Sequence, residues 1–175
     1  MKKKVLSIVA VVLVLCCAIG GTLAWLTDRT NPVVNTFTVG DINIELKETT
    51  TNYKMVPGNT ITKDPKVTVK ANSEACWLFV KVEKSSNFDS FMTYEMADGW
   101  TALAGVEGVF YREVAATTTA TEFSVLKDNS VLVKNTVTKA DLNALTQNTF
   151  PTLTFTAYAV QKDNVADAAT AWGKL

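Results

Sequence analysis

The residues with chemistry to offer in this chain are few, and one missing type says most. There is no histidine among the 175 residues. Histidine is the side chain that titrates nearest neutral pH, and it is a leading zinc ligand. Its absence removes Ser-His-Asp triads and every HExxH-type metal site together. Of the three cysteines, Cys16 and Cys17 fall in an apolar leader, so Cys76 is the one thiol of the remaining chain. A single thiol forms no internal disulfide. Its plain reading is a small buried apolar residue, and the alternative is a reactive or cross-linking thiol. A zinc site would have to be built from Cys76 and carboxylates alone. The 17 acidic residues are scattered among turns and strand faces, which reads as solvated surface charge. Two of them meeting in space for glycoside hydrolysis stays open at this point. Asp163, Asn164 and Asp167 are close in sequence but lack the spacing of a calcium loop, and an acid at a helix start accounts for them. The expectation is therefore a non-enzyme, with no cofactor, no metal and no small-molecule substrate.

The elements that would position any activity begin with a leader. Lys2, Lys3 and Lys4 precede an uncharged run over residues 5–19, VLSIVAVVLVLCCAI. This is the pattern of a signal peptide. The competing reading is an uncleaved anchor, because the 23 residues from 5 to 27 carry no charge and are enough to span a bilayer. Small residues at 20–24 favour cleavage, with Ala24 as the last leader residue and Trp25 as the new N-terminus. A lipoprotein signal at Cys16 or Cys17 is disfavoured by Leu15. The reading divides the chain into a signal peptide (1–24), an N-terminal segment (25–37) and a β-sandwich domain (38–175), and the product is secreted. Without the leader, 14 basic residues face 17 acidic ones, a formal charge of −3. That balance offers no basic face for nucleic acid.

Past the leader the pattern is that of strands. Phe37 and Val39 alternate with polar residues, and after Gly40 and Asp41 the alternation resumes at Ile42, Ile44 and Leu46 on the other parity. A bulge or bend at 40–41 would keep one face buried. Residues 49–52 read as a loop, Pro57 and Gly58 suit a type II turn, and Asp64 with Pro65 is a break. Residues 66–70 predict a half-buried strand. The run 75–83, ACWLFVKVE, places Cys76, Leu78, Val80 and Val82 on one face and Trp77 and Phe79 on the other, which predicts a central strand. Residues 88–96 are ambiguous. Asp98 and Gly99 predict a hairpin turn leading into 100–103. Residues 108–114 predict a strand and 115–121 a polar loop. Residues 123–126 and 131–133 predict a hairpin around 127–130. Thr138 caps a short helix over 138–145. Pro151 opens a strand over 152–161, with Leu153, Phe155, Ala157 and Ala159 on one face. Residues 164–172 predict a second short helix. Many short strands and two short helices predict an all-β sandwich or barrel.

Three stretches resemble the TasA/camelysin family of exported Firmicutes proteins. These are TLAWLTD followed by NTFTVGDINIEL, then MVPGNTITKDPKVTVKANSEACWLFVKV at 55–82, and TFTAYAVQKDNVADAATAW at 154–172. Residues 85–150 carry no such likeness. The resemblance implies a single jelly-roll-like β-sandwich with one or two short helices. It implies export through a signal peptidase of the SipW type, and a structural role in fibres of a biofilm matrix. It also places Asp28 at the start of the mature chain, in processing or assembly. Camelysin-type relatives are classed as metalloproteases, a class to which the residues here lend no support.

The activity that remains is assembly. Residues 25–37 carry Trp25, Leu26, Val33, Val34 and Phe37 without helical spacing, and Pro32 disfavours a helix. An extended apolar segment of this kind pairs either with its own sheet or with that of a neighbour. The second is β-strand addition, which the resemblance favours and which gives an open head-to-tail homopolymer, with other matrix components as further partners. The alternative class is a monomeric cell-surface binding or adhesion module exported by the same route.

Overall fold

The structure, a computed structural model, describes residues 41–49 and 53–175. Among the described residues, ten strands and three short helices follow one another. They are β1 (Ile44–Lys47), β2 (Thr60–Thr62), β3 (Lys66–Val69), β4 (Cys76–Lys84), α1 (Phe88–Phe91), β5 (Met92–Met96), β6 (Thr101–Ala102) and β7 (Val109–Val114). β8 (Thr121–Ser124), β9 (Leu126–Val133), α2 (Lys139–Asn143), β10 (Leu153–Gln161) and α3 (Ala168–Trp172) complete the chain. A four-stranded sheet has the order β10-β4-β7-β6, and two three-stranded sheets have the orders β1-β3-β8 and β2-β9-β5. All pairings are antiparallel. The class is the expected all-β sandwich.

The two small sheets are halves of one layer. Thr60 pairs with Leu132 and Lys66 with Ser124, so seven residues on one side face nine on the other. The excess is taken up around Asp128 and Asn129, which adopt φ of 53° and 49°, as in a β-bulge. The halves are tied across the kink. The Lys63 N–H donates to the Asn129 carbonyl at 2.8 Å, and the Val125 N–H to the Pro65 carbonyl at 3.0 Å. This corrects the hairpin expected around 127–130. β9 runs through that stretch, and β8 and β9 pair with β3 and β2 rather than with each other.

A second correction concerns Asp98 and Gly99. The turn is there, with Gly99 at φ 86°, but it joins no hairpin. β5 before it pairs with β9, while β6 after it pairs with β7. The turn carries the chain from one layer to the other.

β4 is central, as its composition predicts, lying between β10 and β7. Cys76, Leu78, Val80 and Val82 pack inward against Val67, Val69 and Val125 of the back layer. Trp77 and Phe79 face outward, where Ala168, Ala171 and Trp172 of α3 cover them. Burying each such large apolar side chain is worth roughly 1.5–3 kcal/mol. A further cluster of Phe88, Met92, Leu126, Val131 and Val133 fills the other half of the sandwich.

Local signals hold where they are local. Asn59 N–H donates to the Val56 carbonyl at 3.0 Å and Gly58 has φ 77°, the backbone of a type II turn. Thr138 and Asp141 form a reciprocal capping box at α2. The second helix is shorter than expected. α3 starts at Ala168, because Asn164 takes φ 60° and Asp167 is the cap.

Candidate functional site

The lateral sides of the sandwich differ. On one, Trp100 Nε1–H donates to the Ser124 carbonyl at the end of β8 at 2.8 Å. The Arg112 guanidinium stacks 3.9 Å from the Phe123 ring centroid and 5.3 Å from that of Trp100. Arg112 pairs with Leu78 across β7 and β4, which puts it on the core-facing side of the sheet. Burial pulls its pKa down, and two aromatic faces take the place of a carboxylate. This stack bridges β8 to the β6–β7 edge and closes that side. Nothing in the alternation of residues 108–114 marks Arg112, because its partners lie 11 and 12 positions away on other elements.

On the opposite side β10 is an edge strand among the described residues. β10 pairs along all nine residues with β4, from Leu153 opposite Lys84 to Gln161 opposite Cys76. Its other long edge hydrogen-bonds to no strand among the described residues, although β1 of the facing layer packs close to β10. Leu153, Phe155, Ala157 and Ala159 lean on the core but stay half-buried, in contrast to the buried Leu78, Val80 and Val82 beside them. The margin opposite is β1, whose Ile44 and Leu46, with Ile42 before them, are likewise only half-covered.

At the Leu153 end of β10 a cleft of about 860 Å³ opens between β10 and the β2-β9-β5 half. Met55, Ile61, Phe88, Met92 and Leu153 form its apolar surface, and Val56 and Phe150 line it while about half exposed. Two cations line it, Lys54 and Lys63. Lys63 is buried. Its Nζ is 2.6 Å from Glu48 Oε1 and lies 5.0 Å and 5.4 Å from the Tyr53 and Phe155 ring centroids. The same Glu48 oxygen accepts from the Tyr53 hydroxyl at 2.6 Å. Burial and then the bond to Glu48 hold the Tyr53 hydroxyl protonated well above its ordinary range. Ile61 and Lys63 lie two apart and so share a strand face, and a cation beside an apolar residue on one face is the signal in the sequence for this network.

The residues expected to act in processing and assembly, Ala24, Trp25, Leu26, Asp28, Val33, Val34 and Phe37, lie outside the described residues, as do the leader and the expected bend at Gly40. Cys76 is buried on the inward face of β4, and burial pushes its thiol up to about 11. Asp167 accepts from the Thr170 N–H at 2.7 Å as a helix cap. That bond and the Thr170 hydroxyl hold its carboxyl below the usual range.

Residues 1–83 match the family described as camelysin metallo-endopeptidase. Over that stretch the chain is similar to the camelysin family. The match ends within β4. No curated protein and no solved structure matches the chain. That description names a metal-dependent peptidase, against the non-enzyme expectation, and such a centre needs a convergent set of donors. The chain has no histidine. Among the described residues no three or more Cys, Asp or Glu converge. The Cys76 thiol faces apolar core and resists ionisation, whereas a metal needs the thiolate. The described residues do not fit a zinc-peptidase centre.

Proposed function

We propose that this protein, similar over residues 1–83 to the camelysin family, is a secreted structural subunit that assembles head to tail into extracellular fibres of a biofilm matrix. The observation that carries the reading is the open β10 edge. Nine residues of edge backbone beside a half-covered apolar strip are a liability in a protein meant to stay monomeric, and they are an acceptor in one meant to polymerise. Residues 25–37 supply the donor strand. They are apolar and strand-compatible, and they become free only when a signal peptidase of the SipW type cuts after Ala24. Polymerisation then waits for export. The β6 and β8 side is bridged by Trp100, Arg112 and Phe123, so the two lateral sides of the subunit differ, as a polar fibre requires. The protein works without metal or catalysis.

The test is sedimentation and electron microscopy of mature protein across concentration, with and without residues 25–36. Filaments from the mature form and folded monomers from the deleted form are expected. Val34→Asp and Phe37→Asp should cut filament formation while leaving the domain folded. The same filaments from the deleted protein would sink the proposal. Unfolding of the deleted protein would assign 25–37 to its own sheet.

A further inference from the structure

The assembly reading uses the β10 edge and leaves the cleft at its Leu153 end without a role. We propose that this cleft binds a long-chain fatty acid, with the hydrocarbon chain along Met55, Ile61, Phe88 and Met92 and the carboxylate at Lys54. The cleft volume of about 860 Å³ lies within the roughly 300–1,000 Å³ of ligand pockets. Its surface combines a continuous apolar wall with two cations, and no acidic residue lines it. The two cations have different tasks. Lys63 is neutralised by Glu48 at 2.6 Å, so it serves as structure. Lys54 is exposed and makes no ion pair among the described residues, so its charge is free for an anionic head group. Val56 and Phe150, apolar yet 48% and 50% exposed at the cleft, gain a cover when a chain occupies it. A neutral ligand would leave Lys54 unused, and a phosphate-type anion would leave the apolar wall uncovered.

The experiment is calorimetric titration of the full mature protein with dodecanoate, hexadecanoate and dodecanol, each below its aggregation limit. Saturable one-to-one binding of the acids is expected, tightening about three- to four-fold per methylene over short increments. Dodecanol should bind at least tenfold more weakly. Lys54→Glu, a change at an exposed position, should bring the acid down to the level of the alcohol. Leu142→Trp should fill the cleft and abolish both, with shielding of Cys76 from thiol reagents as the check that the domain is still folded. Equal affinity for acid and alcohol, or no gain with chain length, would overturn the proposal. So would a peptide of residues 25–37 that occupies the cleft while the acids do not bind, since that would assign the cleft to assembly. Loss of filaments in the deletion experiment leaves this titration unaffected, so the two readings fail separately.

Discussion

The rings of Phe79 and Trp172 meet with centroids 5.3 Å apart and planes inclined by 55°. Tyr158 stands edge-on to the same indole at 5.4 Å. A five-residue helix has too few internal hydrogen bonds to persist alone, so α3 owes its place to this aromatic contact and to Ala168 and Ala171 beneath it. Phe79→Ala should lower stability by about 3–5 kcal/mol. Trp172→Ala should cost less, because the indole is half-exposed, and should free α3. Urea unfolding followed by tryptophan fluorescence measures both. A Phe79→Ala loss below about 1 kcal/mol would mean that α3 does not cover this face.

Gly108 precedes β7 with φ 73°, and a Cβ there would lie 2.5 Å from the Val82 carbonyl oxygen. The Val82 N–H donates to the Gly108 carbonyl at 2.7 Å in the same contact. Gly108→Ala therefore meets both a left-handed backbone and a backbone clash, and should cost more than about 1 kcal/mol. Gly105→Ala, with φ 77° but open space around it, should cost less. Equal losses at the two positions would show that backbone conformation alone decides.

Stability should fall on both sides of neutrality, for opposite reasons. Cys76 and Tyr53 hold their protons more tightly folded than unfolded. Their contribution is full below the ordinary thiol and phenol values and is lost as pH rises, for Cys76 through about 11. Asp64, Asp141 and Asp167 have folded pKa values held down by hydrogen bonds from Thr49, Thr138 and Thr170. Their contribution is present above the ordinary carboxylate range and disappears as pH falls through the lowered values. Urea midpoints across pH should show a flatter alkaline limb in Cys76→Ala and a flatter acid limb in Asp141→Asn. An unchanged alkaline limb in Cys76→Ala would count against the burial of that thiol.

Rigorously purified mature protein should show no chelator-sensitive proteolysis, in spite of the family description. The reason is the donor set, without histidine and with its thiol buried. Casein or azocoll cleavage that is lost with chelator and restored by zinc would refute this.

N-terminal sequencing of the secreted protein should begin at Trp25. A mature chain that starts before Gly20 or still holds Lys2, Lys3 and Lys4 would remove the trigger on which the assembly proposal depends.

What the sequence by itself determined was the direction of side chains and the position of caps and turns. In a strand the period is two, so Cys76, Leu78, Val80 and Val82 had to share a face wherever the strand lay. An apolar pair on the reverse face, Trp77 and Phe79, required cover on both sides. Thr138 acts within three residues of itself, and so was legible as a helix start, whereas the helix expected from Asn164 begins only after the Asp167 cap. Tertiary structure alone decided which strands are neighbours. Asp128 with Asn129, and Asp98 with Gly99, both announce left-handed backbone, but the same backbone serves a hairpin, a bulge in a through-going strand or a crossing between layers. The choice rests on where β2, β3 and β7 lie, far away in sequence. The same holds for function. The open β10 edge, the closed Arg112 side and the Lys63 network are relations between distant segments, and no local pattern encodes a neighbour that arrives from elsewhere in the chain.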